Sequence, residues 1–232
     1  MKKVLSITIV LLVVLISACS NDNKTISTTE KITSKVKYEP KIKYSSSIII
    51  DNTDMVMYPL NLNDGDNDSY IRSAEANYWN LIFYNVNSGK SELLTYKKLI
   101  INSFKIGHNE SGANSSASFS DQFIYYEIIN SDYNGDKKLT GNDPKKLFIS
   151  NLQGKSFHQI SPKNYSIYTW KIDNKHDLIL MNLIKDSNGD KEFNEKDDVE
   201  YFIYNLKAGN PAKPIFDDAF KKGLRALAKK VL

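Results

Sequence analysis

Residues 131–152 read SDYNGDKKLTGNDPKKLFISNL, and residues 185–206 read KDSNGDKEFNEKDDVEYFIYNL. The two stretches align without a gap and share ten identical residues. In both, an acidic segment around Asn-Gly leads into an apolar run that ends in Asn-Leu. A pattern that returns in the same order is typical of repeat proteins, in which each copy is one supersecondary unit. The identical pairs are Asp132 with Asp186, Asn134 with Asn188, Gly135 with Gly189, Asp136 with Asp190, Lys137 with Lys191, Asp143 with Asp197, Phe148 with Phe202, Ile149 with Ile203, Asn151 with Asn205, and Leu152 with Leu206.

A third copy with looser spacing spans residues 64–86. Its apolar run, residues 81–86, follows the acidic segment two residues later than in the other copies. The first and second acidic segments are also further apart than the second and third. The Gly, Asn and Ser stretch at 107–118 predicts a long surface loop that accounts for this excess. The acidic residues of the third copy are Asp64, Asp66, Asp68 and Glu75.

Each copy predicts the same order of elements: two strands, the acidic loop, a third strand, a turn and a short fourth strand. The 14 Tyr and 10 Phe, against only 10 Gly, also favour strands. Four antiparallel strands per copy are typical of a β-propeller blade. The predicted first strands are 47–50, 99–106 and 166–172, and the predicted second strands are 55–60, 123–129 and 178–184.

The repeat resembles the blades of TolB-type β-propellers. Residues 148–160 and 165–180 carry the resemblance; in the second stretch an aromatic strand containing Trp170 leads through Asp-Asn into the next apolar strand. The resemblance covers most of residues 46–215 and implies an all-β, antiparallel domain of three propeller-blade-like repeats. Closed propellers have about four to eight blades. Three copies therefore predict an incomplete or small ring, a ring completed by a second copy of the chain, or an open stack of sheets.

The acidic loops have the ligand spacing of a calcium site. Calcium takes about six to eight oxygen ligands, and a twelve-residue loop supplies them from positions 1, 3, 5, 7, 9 and 12. In each copy, carboxylate or amide side chains fall at positions 1, 3, 5 and 12, and the carbonyl at position 7 belongs to Lys138, Glu192 or Tyr70. This spacing resembles the EF-hand loop, which implies a structural Ca²⁺ ion. The predicted ligands are Asp64, Asp66, Asp68, Glu75, Asp132, Asn134, Asp136, Asp143, Asp186, Asn188, Asp190 and Asp197.

Two features of these loops differ from the EF-hand family. Position 6 is Gly in the family, whereas here it is Lys137, Lys191 or Ser69, and a non-Gly residue with positive φ costs about 1 kcal/mol. The flanking segments are predicted strands rather than helices. In an alternative interpretation, the two Asn-Gly pairs form tight hairpin turns, with Asp present because it suits turns. That alternative does not account for the acid at position 12 in all three copies.

The first 18 residues have the pattern of a secretory signal. Lys2 and Lys3 precede an apolar run at 4–16, which is shorter than the ~20 residues of a membrane-spanning helix. The following stretch, Ile-Ser-Ala-Cys at 16–19, resembles the lipobox of bacterial lipoproteins. The resemblance implies that the signal is cut before Cys19, whose sulfur is lipidated and whose acyl chains, such as palmitate, hold the protein on a lipid bilayer.

Residues 19–45 are predicted to be a flexible, lipidated tether. They are rich in Ser, Thr, Asn and Lys and contain few large apolar side chains, so burial cannot offset the entropy of ordering them. The predicted location is the cell envelope. In a Gram-negative cell, Ser20 after the lipidated cysteine implies the outer membrane.

Residues 216–232 predict an amphipathic helix. Its apolar residues return at helical spacing, acids lie at its start, and basic residues lie toward its end. We expect the apolar stripe to cover the open edge of the last sheet, because an exposed edge needs protection. Docking to a partner protein and lying on an anionic membrane surface are the alternatives. The apolar residues are Phe216, Phe220, Leu224, Leu227 and Val231.

Composition excludes several classes of function. The chain has 31 basic and 27 acidic residues and, outside the C-terminal helix, no basic stripe, so nucleic acid is not a predicted partner. A single cysteine excludes an intrachain disulfide. His108, His158 and His176 have no zinc-ligand spacing, and no catalytic constellation is evident.

These observations predict a non-enzymatic binding or scaffolding module of the envelope. Its partner would be an envelope protein or a second copy of the chain. The alternative is a hydrolase that acts on envelope glycans or peptides and uses loop carboxylates for catalysis.

Overall fold

Twelve strands and one α-helix form within the parts of the chain that the computed structural model describes, residues 39–62, 77–107 and 118–232. A short 3-10 helix, Phe119–Gln122, precedes the sixth strand. The strands are β1 (Ile48–Ile50), β2 (Met55–Asn61), β3 (Tyr78–Asn85), β4 (Ser91–Leu93), β5 (Ile100–Ile106), β6 (Phe123–Ile129), β7 (Lys146–Asn151), β8 (His158–Gln159), β9 (Tyr165–Asp173), β10 (Leu178–Lys185), β11 (Asp198–Asn205) and β12 (Lys213–Pro214), and the helix is α1 (Asp218–Val231).

The strands pair into two antiparallel sheets. The larger sheet has the order β1-β2-β3-β5-β6-β7-β8, with β4 also paired to β3, and the smaller has the order β12-β11-β10-β9. A single residue pair, Tyr78 with Ile101, joins β3 to β5 in the larger sheet. The prediction of an antiparallel, all-β protein with a C-terminal helix is therefore confirmed. Both sheets are open, and a closed ring is not observed in the described residues.

The β6–β7 hairpin is buried on both faces and separates two hydrophobic clusters. On one face, Tyr126 and Phe148 pack with residues of β1, β2, β3 and β5. On the other face, Tyr125 and Leu147 pack with residues of the smaller sheet. Strands covered on both sides lose the alternation of apolar and polar residues, and this explains the almost continuous apolar sequence of β6.

The smaller sheet is held to this hairpin by polar contacts as well. Trp170 Nε1 donates to Glu127 Oε1 at 2.8 Å, and the Trp170 ring lies 5.5 Å from the Tyr125 ring. The backbone N–H of Ile167 donates to the carbonyl of Lys145 at 2.8 Å. The compact unit Lys41–Leu232 contains every described strand and both clusters. A chain that starts at Asn21 therefore keeps all of these contacts.

The turns that follow β3, β7 and β11 each contain a glycine with positive φ. Gly89, Gly154 and Gly209 have φ of +67°, +72° and +64°. Nothing lies near Gly89 or Gly209, but a Cβ atom on Gly154 would lie 2.6 Å from the Phe83 ring. Gly154 thus lets the turn after β7 approach β3 closely.

The C-terminal helix forms as predicted, but its apolar stripe does not cover a sheet edge. Asp217 caps the helix, its Oδ1 accepting from the Phe220 N–H at 2.7 Å. No residue of α1 is buried. The expectation that the stripe protects the last sheet is wrong, because the contacts that hold α1 involve its first turn. The Phe216 ring lies 5.7 Å from the Tyr201 ring, and Lys221 pairs with Glu200 at 3.1 Å.

Candidate metal centres

Two of the three predicted calcium loops lie within the described residues. Residues 132–143 connect β6 to β7, and residues 186–197 connect β10 to β11. The third loop, with Asp64, Asp66, Asp68 and Glu75, lies outside the described residues, as does Cys19.

In the first described loop, side-chain oxygens at the predicted ligand positions accept backbone N–H groups. Asp132 Oδ1 accepts from Gly135 and its Oδ2 from Lys137, both at 2.7 Å. Asn134 Oδ1 accepts from the Asp136 N–H at 2.9 Å, and Asp136 Oδ1 accepts from the N–H of residue 138 at 2.8 Å. A carboxylate has about four lone-pair sites. These hydrogen bonds therefore orient the oxygens and leave capacity for a cation.

The second described loop repeats this pattern. Asp186 accepts from Gly189 at 2.7 Å and from Lys191 at 3.3 Å. Asn188 Oδ1 accepts from the Asp190 N–H, and Asp190 Oδ1 accepts from the N–H of residue 192, both at 2.9 Å. The two loops thus have the same hydrogen bonds at positions 1, 3 and 5 although half of their residues differ.

Position 6 has the left-handed backbone conformation in both loops. Lys137 has φ of +66° and Lys191 has φ of +65°. This is the position at which the EF-hand loop uses glycine for its sharp turn. A lysine in this conformation costs about 1 kcal/mol. Both loops therefore make the sharp turn of an EF-hand-type loop at position 6, although lysine disfavours the left-handed conformation found there.

The aspartates at position 12 are buried and close their loops. Asp143 is 3% exposed and accepts from the N–H groups of Tyr133 and Thr140 at 2.8 and 2.9 Å. Asp197 is 8% exposed and accepts from the N–H groups of Ser187 and Asn194 at 2.9 and 3.1 Å. The hydrogen bond from Ser187 lowers the pKa of Asp197. Because the folded-state pKa is lowered, this carboxylate stabilises the fold at neutral pH and loses that effect as the pH falls.

The donor set of the loops suits a hard cation, but the carboxylates do not converge. Carboxylate, amide and backbone oxygens are the ligands that Ca²⁺ prefers. Within the described ranges, no group of three or more His, Cys, Asp or Glu side chains is close enough together to hold a metal ion. The side chains at positions 3 and 5 of the second loop do meet, since Asn188 Nδ2 donates to Asp190 Oδ2 at 3.0 Å.

Tyr133 links the two loops, and the sequence comparison did not identify it. Its hydroxyl donates to Asp186 Oδ2 at 3.0 Å, and its ring lies 5.0 Å from the Phe193 ring. Partial burial, together with the Asp186 carboxylate, raises the pKa of Tyr133, so the hydroxyl stays a donor at neutral pH. Ser187 occupies the equivalent position of the other loop, so the repeat offers no signal for this contact. The one sequence signal for this contact was that Tyr133 is an aromatic residue within an acidic loop.

A cavity of about 680 Å³ lies against both loops. Asn134 and Asp143 line it from the first loop, Asp190 and Phe193 from the second, and Tyr168 from β9. A general acid in a glycan-cleaving site needs a carboxyl group with a raised pKa. Hydrogen bonds, chiefly from the backbone N–H of Ser187, lower the pKa of the neighbouring Asp197 instead, which is the opposite of what a general acid needs.

The two described histidines lie apart from the loops. His158 Nδ1 is 2.6 Å from the carbonyl of Ser156, and His176 Nδ1 is 2.8 Å from Asp173 Oδ2. The hydrogen bond with His176 lowers the pKa of Asp173. Each histidine thus has a local partner in a turn.

Lys146 is a buried cation that follows the first loop. Its side chain is 4% exposed, and its Nζ donates to the carbonyl of Lys163 at 2.6 Å and to the carbonyl of Tyr165. Burial disfavours the charged form and lowers the pKa of Lys146 from 10.5 to about 8. Below pH 8 the folded protein therefore bears the full cost of a buried ammonium group.

We expect the free energy of unfolding to rise by about 2 kcal/mol between pH 7.5 and 9.5 through Lys146, because the unfolded chain retains a proton that the folded chain releases. Urea unfolding across this range measures the slope. Lys146→Met should remove this rise, whereas Lys105→Met, at an exposed position on β5, should retain it. The pKa values of Tyr125 and Tyr126 are raised by burial, which acts in the opposite direction, so the difference between variant and parent is the quantity to compare. Equal slopes for Lys146→Met and the parent would contradict the assignment.

Comparisons with known proteins do not assign this chain to a family, so its class is inferred from its own residues. No family model matches the chain, and no curated protein matches it. Within the described residues, no helix has the length and apolarity needed to cross a membrane.

Proposed function

We propose that this chain is a lipid-anchored, extracytoplasmic lipoprotein whose β domain is a non-enzymatic binding or scaffolding module stabilised by calcium. The observation that carries the calcium part is the left-handed conformation at position 6 of both described loops, with the same hydrogen bonds at positions 1, 3 and 5. Two copies of the loop that differ at half of their residues adopt one geometry, and that geometry orients oxygens at the spacing of a calcium loop.

Calcium would be held by Asp132, Asn134, Asp136 and Asp143 in the first loop, and by Asp186, Asn188, Asp190 and Asp197 in the second. The ion would draw the loop carboxylates together, neutralise part of their charge and stiffen the connection from β6 to β7 and from β10 to β11. The second loop has five carboxylates against two lysines, whereas the first has three against two. We therefore expect the second loop to bind calcium more tightly.

We also propose that each group of four strands corresponds to one propeller blade. The groups are β1 to β4, β5 to β8 and β9 to β12, each in the order that the repeat predicts. The middle group packs face to face with both others through its β6–β7 hairpin, as neighbouring blades do. The edge contact between β3 and β5 is a departure from that arrangement.

The alternative, a hydrolase of envelope glycans or peptides, has less support. Asp132, Asp143, Asp186 and Asp197 each use both carboxylate oxygens to accept backbone N–H groups. A carboxylate committed to holding a loop in shape is poorly placed to exchange protons with a substrate. Assay of the cavity variant Asp190→Asn against envelope glycans and peptides separates the two proposals, because loss of activity without loss of stability supports the enzyme.

The membrane anchor is tested by labelling bacteria that express the full chain with radioactive palmitate. We expect the label to be incorporated and the protein to fractionate with membranes, because the sequence before Cys19 resembles a lipobox. Cys19→Ser should lose the label completely and leave an unprocessed precursor of higher mass. The matched control Ser17→Ala retains a small residue before the cysteine and should be labelled normally. Equal labelling of Cys19→Ser would refute acylation at this residue.

A further inference from the structure

The helix α1 has an apolar face that the described residues leave largely exposed. Phe220, Leu224, Leu227 and Val231 are 54%, 55%, 58% and 74% exposed. Their spacing of four, three and four residues places them on one side of the helix. Four large side chains in a continuous exposed stripe mark an interaction surface rather than an ordinary protein exterior.

The rest of the helix surface is cationic. Its acids, Asp217 at the cap and Asp218, are confined to the N-terminal end. At 100° per residue, Lys221 and Lys230 flank the apolar stripe, and the other three cations lie on the opposite side of the helix. The cations are Lys221, Lys222, Arg225, Lys229 and Lys230. Of these, Lys221 forms an ion pair, with Glu200, and the other four form none with described residues.

The attachment of α1 leaves most of the apolar face free. Phe216 packs between the Tyr201 and Phe220 rings, at centroid distances of 5.7 and 5.3 Å. Together with the ion pair of Lys221, these contacts fix the first turn to β11. Beyond the first turn, Ala228 is the least exposed residue of α1. The 14-residue helix therefore offers about 20 Å of amphipathic surface.

We propose that α1 lies on an anionic lipid bilayer, with its apolar stripe among the acyl chains at the headgroup boundary and its cations beside the lipid phosphates. A helix with a cationic face, an apolar face of Phe and Leu, and low overall hydrophobicity is suited to this position. A second copy of the chain is the poorer occupant, because pairing two such stripes would bring the flanking cations of both helices together. This contact is separate from acylation at Cys19 and goes beyond the proposed function.

Vesicle binding tests the proposal with a chain that starts at Asn21, which has neither the signal nor Cys19. We expect this chain to sediment with vesicles of phosphatidylglycerol and phosphatidylcholine, and not with phosphatidylcholine alone. Replacing two cations, Lys229→Gln with Lys230→Gln, should weaken binding by about 25-fold, since each cation near an anionic surface contributes about fivefold. Leu224→Ser with Leu227→Ser should weaken it by about 100-fold or more through lost acyl-chain contact.

Matched controls use exposed apolar residues outside the helix. Ile49 is 74% exposed and Tyr96 is 91% exposed, and replacing either with serine should leave vesicle binding unchanged. All substituted residues are exposed, so circular dichroism should show the same fold for every variant. Salt should weaken binding of the parent chain, because exposed charges are screened.

Three results would overturn the proposal. One is equal binding to neutral and anionic vesicles, or binding to neither. Another is unchanged binding of the double leucine variant, which would assign any vesicle affinity to other lysines. The third is a lipid-free dimer that dissociates when the two leucines are replaced, which would identify a second copy as the occupant.

Discussion

Calcium at about 10 mM is expected to raise the free energy of unfolding of a chain starting at Asn21 by about 3 to 5 kcal/mol. Loops of extracellular calcium modules have dissociation constants on the order of 10⁻⁴ to 10⁻³ M. A ligand that binds the folded state alone then stabilises it by about 1.4 to 2.7 kcal/mol per site. The two described loops together account for the expected range. Urea unfolding with calcium and with a chelator measures it.

Loop variants determine whether the stabilisation comes from these sites. Asp136→Asn and Asp190→Asn each remove a ligand charge at position 5 but keep an oxygen that can accept the backbone N–H two residues later. The double variant should lose most of the calcium effect and change little in the chelator. Asp54→Asn, in the exposed turn before β2, is the matched control and should respond to calcium like the parent. If the double variant responded equally, the calcium loops would be ruled out.

Tyr125→Ala is expected to lower the free energy of unfolding by about 3 to 5 kcal/mol, the range for a buried aromatic residue cut back to alanine. Tyr125 is fully buried in β6, where it faces the smaller sheet. Its ring lies beside Trp170, and its hydroxyl donates to the carbonyl of Ser120 at 2.9 Å. Removing the ring therefore opens a cavity at the contact between the two sheets.

Two further variants separate the contribution of the Tyr125 ring from that of its hydroxyl group and from the effect of an exposed tyrosine. Tyr125→Phe keeps the ring and loses one hydrogen bond, so it should cost about 1 kcal/mol and leave the Ser120 carbonyl without that donor. Tyr168→Ala, at a position on β9 that is 64% exposed, should stay within about 0.5 kcal/mol of the parent. Urea unfolding of the three variants gives the comparison. A Tyr125→Ala variant as stable as Tyr168→Ala would show that the sheets are not held together through this cluster.

The strand order could be predicted because each strand is an apolar run bounded by turn residues, and both signals are local. Which strands pair with each other across the two sheets could not be predicted. The joining of β3 to β5 through Tyr78 and Ile101 depends on how the first two groups meet in space. The buried Lys146 was also missed, since a lysine in an apolar run gives no sign that backbone carbonyls of residues 163 and 165 will receive its ammonium group.

In the loops and the helix as well, features set by neighbouring residues could be predicted, whereas contacts between distant residues could not. Spacing alone predicted that position 6 is the sharp turn of each described loop, because that turn is a property of twelve consecutive residues. The contact of Tyr133 with Asp186 joins residues 53 positions apart and was not predicted. Helical spacing likewise predicted α1. The spacing does not indicate which surface the apolar stripe contacts. The expectation that it contacts the edge of the last sheet was wrong, because no residue of α1 is buried.

Three of the four outermost strands of the two sheets are short, and this affects how molecules behave when they are crowded. Among the described strands, β1 has three residues and β8 and β12 have two each, and β12 includes Pro214, which lacks an N–H. Short borders of this kind give an approaching chain few unpaired groups with which to extend the sheet. For a protein held at a surface, as we propose, neighbours meet often because they diffuse in two dimensions. Brief strands at three of the four borders would then limit sheet pairing between neighbouring molecules, and the nine-residue β9 is the one long border among the described strands.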